Sequence, residues 1–159
     1  MKRKAQPPAL PTQFAGPGES PGFLLWKVSN AWQRRQRVAL QPFALTHSQF
    51  VLLAVATWFG TSDEPLTQAR LADLAGVDPM TTSQIVRTLE TNGLLARDEH
   101  PGDTRAKSIA VTATGRAKAR DALVAVEKTD SEFFAVLAGN EARLVSILKT
   151  LAQADESGR

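Results

Sequence analysis

The sequence predicts a mainly α-helical fold carrying one small β-hairpin. Three observations predict it. Apolar residues recur at three- and four-residue spacing in six segments, most of them opened by a capping residue. Two short segments of extended character, 94–99 and 107–112, flank a Pro-Gly pair. There are no cysteines and only two histidines, His47 and His100, so no disulfide frame, thiolate metal site or histidine-rich centre organises the chain. An apolar core must do so. With 43% hydrophobic and 22% charged residues among 159, the chain has the material for one such core.

Residues 1–19 hold Pro7, Pro8, Pro11, Pro17, Gly16 and Gly18, a composition that predicts a flexible arm. Ser20-Pro21 opens the first helix, since Ser caps free amides and Pro suits the first helical position. Leu24, Leu25, Val28, Ala31, Trp32 and Val38 form its apolar stripe, and Pro42 ends it. Thr46-His47-Ser48-Gln49 is a capping box, with Leu45 and Phe50 placed as a hydrophobic staple. The helix it opens runs to Gly60, is apolar nearly all round, and is expected to be buried. A polar loop, 61–65, follows.

A brief helix from Thr67 stops at Gly76, and Asp78-Pro79 opens another that continues to Asn92-Gly93. The two extended segments come next, joined by His100 to Arg105. Thr112 caps a long helix to about Leu137, Gly139-Asn140 breaks it, and a last helix spans about 141–154. Its Leu144, Ile147, Leu148 and Leu151 are expected to face inward.

Two helices joined at Gly76-Val77 form a helix-turn-helix. Gly76 supplies the left-handed backbone such a turn needs, and the small Ala72 lets the helices approach. In the second helix Thr82, Ile85, Val86 and Leu89 share one face. Met80, Thr81, Ser83, Gln84 and Arg87 are left pointing outward. Hydroxyls, an amide and a guanidinium are the groups that read base edges and phosphates in a major groove of double-stranded DNA. A hairpin directly after such a helix makes a winged helix, and its tip carries Asp103, Arg105 and Lys107. The arginine suits a narrow minor groove. Asp103 suits it only by holding Arg105, or the nearby Arg97, in place. Charge is compatible with a polyanion partner: residues 1–40 carry net +6, 41–80 −3, 81–120 +3 and 121–159 −3.

Leu74-Ala75-Gly76-Val77-Asp78, Thr81 to Arg97, Pro101-Gly102-Asp103-Thr104-Arg105-Ala106-Lys107 and Val111-Thr112-Ala113-Thr114-Gly115-Arg116 together resemble the MarR family of winged helix-turn-helix regulators. The resemblance runs from about Ser20 to about Ala154. Thr82 departs from it, standing where the family usually has Val or Ile, as does Ala110-Val111 in the second strand. The resemblance implies a homodimer, a DNA-binding lobe at 66–112, a helical dimerisation lobe at 20–45 and 113–155, and repression by promoter occlusion. It also implies a small aromatic or lipophilic effector. Trp26, Trp32, His47, Phe50 and Trp58 are the candidate effector residues, although each aromatic is equally a core residue.

The residues themselves also argue for a dimer, because the terminal helices carry more apolar surface than one chain can cover. Several function classes fall away. No nucleophile–base pair, phosphate loop or metal spacing points to an enzyme, and no cofactor or metal is implied. No apolar run approaches the roughly 20 residues of a membrane span, and the basic start lacks an apolar signal core, so a cytoplasmic protein is expected. Two alternatives stay open: a winged helix used for protein docking, and a constitutive DNA-binding protein without an effector.

Overall fold

A computed structural model of the chain describes residues 10–60, 65–100 and 103–156, with backbone alone at 98–100, 103–107 and 155–156. The elements run α1 (Pro21–Leu40), α2 (His47–Phe59), α3 (Gln68–Ala75), α4 (Pro79–Thr91), β1 (Leu95–His100), β2 (Asp103–Val111), α5 (Ala113–Phe134) and α6 (Glu141–Glu156). Short 3-10 turns occupy Pro17–Glu19, Gln41–Phe43 and Ala135–Leu137. The fold is the expected helical one with a two-stranded antiparallel hairpin. Two compact units divide between Arg34 and Arg35, within α1.

In the first unit, Ser20 receives the amide of Phe23 on its Oγ at 3.4 Å, so the predicted cap opens α1. Among its described residues none is buried, and Phe23, Leu24, Leu25, Trp26 and Val28 are all exposed. Of the expected arm, 1–9 lies outside the described residues. The loop at 61–65 does too, except for Pro65.

The second unit is built around α2. Thr46 and Gln49 make the reciprocal capping box, with Oγ1 accepting from Gln49 N at 3.2 Å and Thr46 N donating to Oε1 at 2.9 Å. Phe50, Leu52, Leu53 and Ala56 of α2 are buried in a core with Leu71, Val86, Leu89, Ile109, Ala119, Ala122 and Val126. At about 25 cal/mol per Å2 of apolar surface, this burial is the main source of stability. The expectation that α2 is buried all round needs correction, because Trp58 is 77% and Phe59 39% exposed. An all-apolar helix exceeds the core that touches it, and its last turn runs past that core.

The hairpin is longer than its sequence suggests. Pairing begins at His100 and Asp103, so Asp103 to Arg105 belong to β2 and not to a loop. Their polar side chains hide the strand from any test of apolar alternation, while backbone pairing needs none. Glu99 opposes Lys107 and His100 opposes Asp103, a register shift that leaves Thr104, Arg105 and Ala106 without opposite residues among those described. A backbone bridge from Thr67 to Ser108 and a bond from Ile109 N to Leu66 O (2.7 Å) fasten the wing to the start of α3.

Thr112 caps α5 by accepting from Gly115 N at 2.9 Å, and its hydroxyl donates to Gly93 O at 2.8 Å. Gly115 is buried where a Cβ would collide with the carbonyl oxygen of Leu94. The last helix differs from expectation. Among its described side chains none is buried: Leu144 is half-buried, while Ile147, Leu148 and Leu151 are 45–57% exposed, so most of its apolar stripe does not face inward within the chain.

Candidate nucleic-acid interface

The turn between α3 and α4 follows from its residues. Gly76 takes φ +63°, a conformation that a side chain disfavours, and Val77 N reaches back to Ala72 O at 3.0 Å. Asp78 then caps α4 by accepting from Thr81 N at 2.9 Å. Hydrogen bonds from the Thr81 hydroxyl and then its amide hold the Asp78 carboxyl below the ordinary carboxylate range. Thr81 is thus engaged by its own cap.

Along α4, Thr82, Val86 and Leu89 are fully buried and Ile85 is half-buried. Thr82 replaces an aliphatic residue there at little cost, because its hydroxyl lies 3.5 Å from Val77 O. The opposite face shows Met80 (74% exposed), Gln84 and Arg87, with Thr81 and Ser83 half-buried beside them. Thr88 and Thr91 return their hydroxyls to the helix carbonyls of Gln84 and Arg87, at 3.1 and 2.9 Å. The freest polar groups on this face are therefore the Gln84 amide and the Arg87 guanidinium.

Asp103, Arg105 and Lys107 lie on β2, with side chains outside the described residues. Arg105 lies in the stretch of β2 next to the register shift between Glu99 and His100. Arg97, the other arginine that Asp103 is expected to steady, has two partners among the described side chains: Nε lies 2.8 Å from Glu90 Oε1, and Nη2 donates to Gln68 Oε1 at 3.4 Å.

The five candidate effector residues divide between the two units. Trp26 and Trp32 belong to the first unit, Trp26 being 63% exposed and Trp32 half-buried. Phe50 is 5% exposed within the core, so its ring is spent on packing. His47 and Trp58 sit at opposite ends of α2, about 16 Å apart along a helix rising 1.5 Å per residue, so no small ligand joins them.

His47 instead has polar company that sequence reasoning missed. Gln36, fully buried, donates from Nε2 to Asp130 Oδ1 at 2.6 Å, and its Oε1 has no partner among the described residues. Burial pushes the His47 imidazole below its ordinary value, with Asp130 opposing. Asp130 also lines an open cavity of about 350 Å3 with Ser131, Phe134 and Glu141. The available signal was Gln36 itself, a polar residue at four-residue spacing between Trp32 and Leu40. Among the described residues no group of three His, Asp or Glu could hold a metal ion, and no single helix is long and apolar enough to cross a membrane.

The sequence model of the MarR family matches residues 45–107. The HTH-type transcriptional regulator YdcH of Bacillus subtilis (strain 168), itself uncharacterised, is 43% identical over 124 residues, covering 78% of this chain and 84% of that protein. The HTH-type transcriptional repressor Rv2887 of Mycobacterium tuberculosis is 32% identical over 77% of this chain and 85% of its own length. Its structure in complex with salicylic acid superposes with TM-score 0.64 at 30% identity, covering 83% and 96% of the two chains. CouR from Rhodococcus jostii RHA1, bound to p-coumaroyl-CoA, superposes with TM-score 0.75 at 28% identity over 89% of this chain and 94% of that one. The repressor CouR bound to a 23-mer DNA duplex gives TM-score 0.74 at 25% identity over 85% and 94%.

Proposed function

The chain belongs to the MarR family of transcriptional regulators, and from that premise we propose that it represses transcription as a cytoplasmic homodimer seated on a palindromic operator. One observation carries this reading: α4 buries Thr82, Val86 and Leu89 and presents Gln84 and Arg87 to solvent, directly beside a two-stranded wing. An amide reads adenine and a guanidinium reads guanine or phosphate. A protein-docking helix would present aromatic anchors, and α4 has none. The DNA complex of CouR supports the same use of the fold.

The dimer is supported by the apolar stripe of α6 and by the exposed Leu24, Leu25, Trp26 and Val28 of α1. Apolar patches of this kind mark interaction surfaces. One helix reads too few base pairs for a unique site, and a twofold dimer doubles the reading. Footprinting on the DNA upstream of the coding region tests the proposal. A protected region with two symmetric halves is expected, and uniform protection of unrelated DNA would refute it.

An effector is a second proposal, favoured by the Gln36–Asp130–His47 cluster. A fully buried acceptor without a donor costs stability, and a small aromatic ligand offering a hydroxyl or amide would supply one. Salicylic acid on Rv2887 and p-coumaroyl-CoA on CouR support this ligand class. Titration with phenolic compounds should quench fluorescence from Trp26, Trp32 or Trp58 and release DNA. Failure of both effects across such a set would leave a constitutive repressor.

A further inference from the structure

Arg97 on β1 joins three elements through one guanidinium. Its Nε lies 2.8 Å from Glu90 Oε1 on α4, and its Nη2 donates to Gln68 Oε1 on α3 at 3.4 Å. Glu90 occupies the last turn of α4, where the unpaired carbonyls disfavour a carboxylate, and that turn has no basic residue of its own. Arg97 supplies the missing cation from outside the helix. Gln68 is the first residue of α3, next to the segment that bonds Ile109, and Ile109 stands opposite Arg97 in the ladder. The pair is only 32% and 25% exposed, so solvent screens it in part. A guanidinium donates along fixed directions, which sets an angle as well as a charge.

We propose that Arg97 is a positioning residue for DNA selectivity: it fixes the wing's angle to α4 so that both engage the duplex together. It does so without touching phosphate. The inference rests on the DNA-binding reading of α4 and the wing. A loosened wing still carries its charge, so binding to any duplex persists. What is lost is the simultaneous register of helix and wing, which orients base contacts.

The test compares binding to an operator selected from random duplexes by the wild-type protein with binding to non-specific duplex, across a salt series. Arg97→Ala should lower the operator-to-non-specific ratio by about tenfold, the worth of one base contact. The salt slope should stay unchanged. Arg97→Lys keeps a charge for Glu90 but loses the fork, and should fall between. Glu90→Gln is the sharpest arm. Removing an anion near DNA favours binding to every duplex, whereas the positioning role requires the ratio to fall. Should Arg97→Ala fail to fold by circular dichroism, Arg97→Lys and Glu90→Gln carry the test. An unchanged ratio in both overturns the proposal, as does an Arg97 variant whose salt slope drops by about 0.9, the mark of a lost phosphate contact. A wild-type protein with no preference for any selected sequence overturns the DNA-binding reading itself.

Discussion

Gly115 shows how much one missing methyl can decide. Its amide is bonded to Thr112 and its Cα faces the Leu94 carbonyl, so helix α5 starts pressed against the base of the wing. Gly115→Ala should force that contact apart and cost about 1–3 kcal/mol, as overpacking does elsewhere. A thermal melt checks this, at about 2–4 °C per kcal/mol for a chain of this size. His47 contributes to the response to acid. Its folded value lies below the ordinary 6.5 because it is half-buried. As pH falls through that window, the unfolded chain binds the proton first, so the stability present above about 6.5 is lost on acidification. His47→Asn should flatten the dependence of melting temperature on pH between about 7 and 5, and an unaltered profile would mean the titration lies elsewhere. Residues are also where sequence reasoning loses its hold. Thr46 and Gln49 stand three apart, and their capping box is legible because helix geometry alone brings them together. Gln36 and Asp130 are 94 positions apart, and only the tertiary fold brings them together.

At the scale of elements, what is legible follows from local rules, and what is hidden follows from neighbours. The bounds of α3 and α4 are set by Thr67, Gly76, Asp78 and Pro79, each acting within one turn. The inner face of α4 is likewise periodic, and Thr82, Val86 and Leu89 are buried as their spacing requires. By contrast, the exposure of Trp58 depends on where the core stops, and the strand at Asp103 depends on a partner strand. The two DNA-reading elements should separate in experiment. Gln84→Ala on α4 removes an amide from a base edge, and should relax preference at one position per half-site by about 1–3 kcal/mol. Arg105→Ala on the wing should weaken operator and A·T-rich competitor together and lower the salt slope by about 0.9. Asp103→Ala should copy part of that loss under the proposal that its carboxylate steadies the arginine. Electrostatics alone predicts the opposite. Tighter operator binding by Asp103→Ala at physiological salt would remove the steadying role.

For the whole molecule, the question is what covers α6. None of its described side chains is buried, yet Ile147, Leu148 and Leu151 repeat at helical spacing and stand about half exposed. A helix of 16 residues with such a stripe has little reason to persist alone in water, since isolated helices of that length are marginal. A second copy of the chain is the partner proposed above for this stripe. Leu148→Asp combined with Leu151→Asp distinguishes a dimer from a monomer cleanly, because both side chains are already solvated within one chain, at 45% and 57%. The change therefore adds little strain to the chain itself and acts where a partner would bury the charge. Wild-type protein should sediment at twice the 17.2 kDa chain mass, and the variant as a single chain that keeps the α2 core and its cooperative melt. DNA binding supplies the second readout. A lone chain meets one half-site and about half the phosphates, so its salt slope should fall to about half the wild-type value. Footprints should shrink to one half of the palindrome or vanish at the same concentration. Wild-type protein sedimenting as one chain at micromolar concentration would mean that α6 awaits some other partner, and that a palindrome is not what this protein reads.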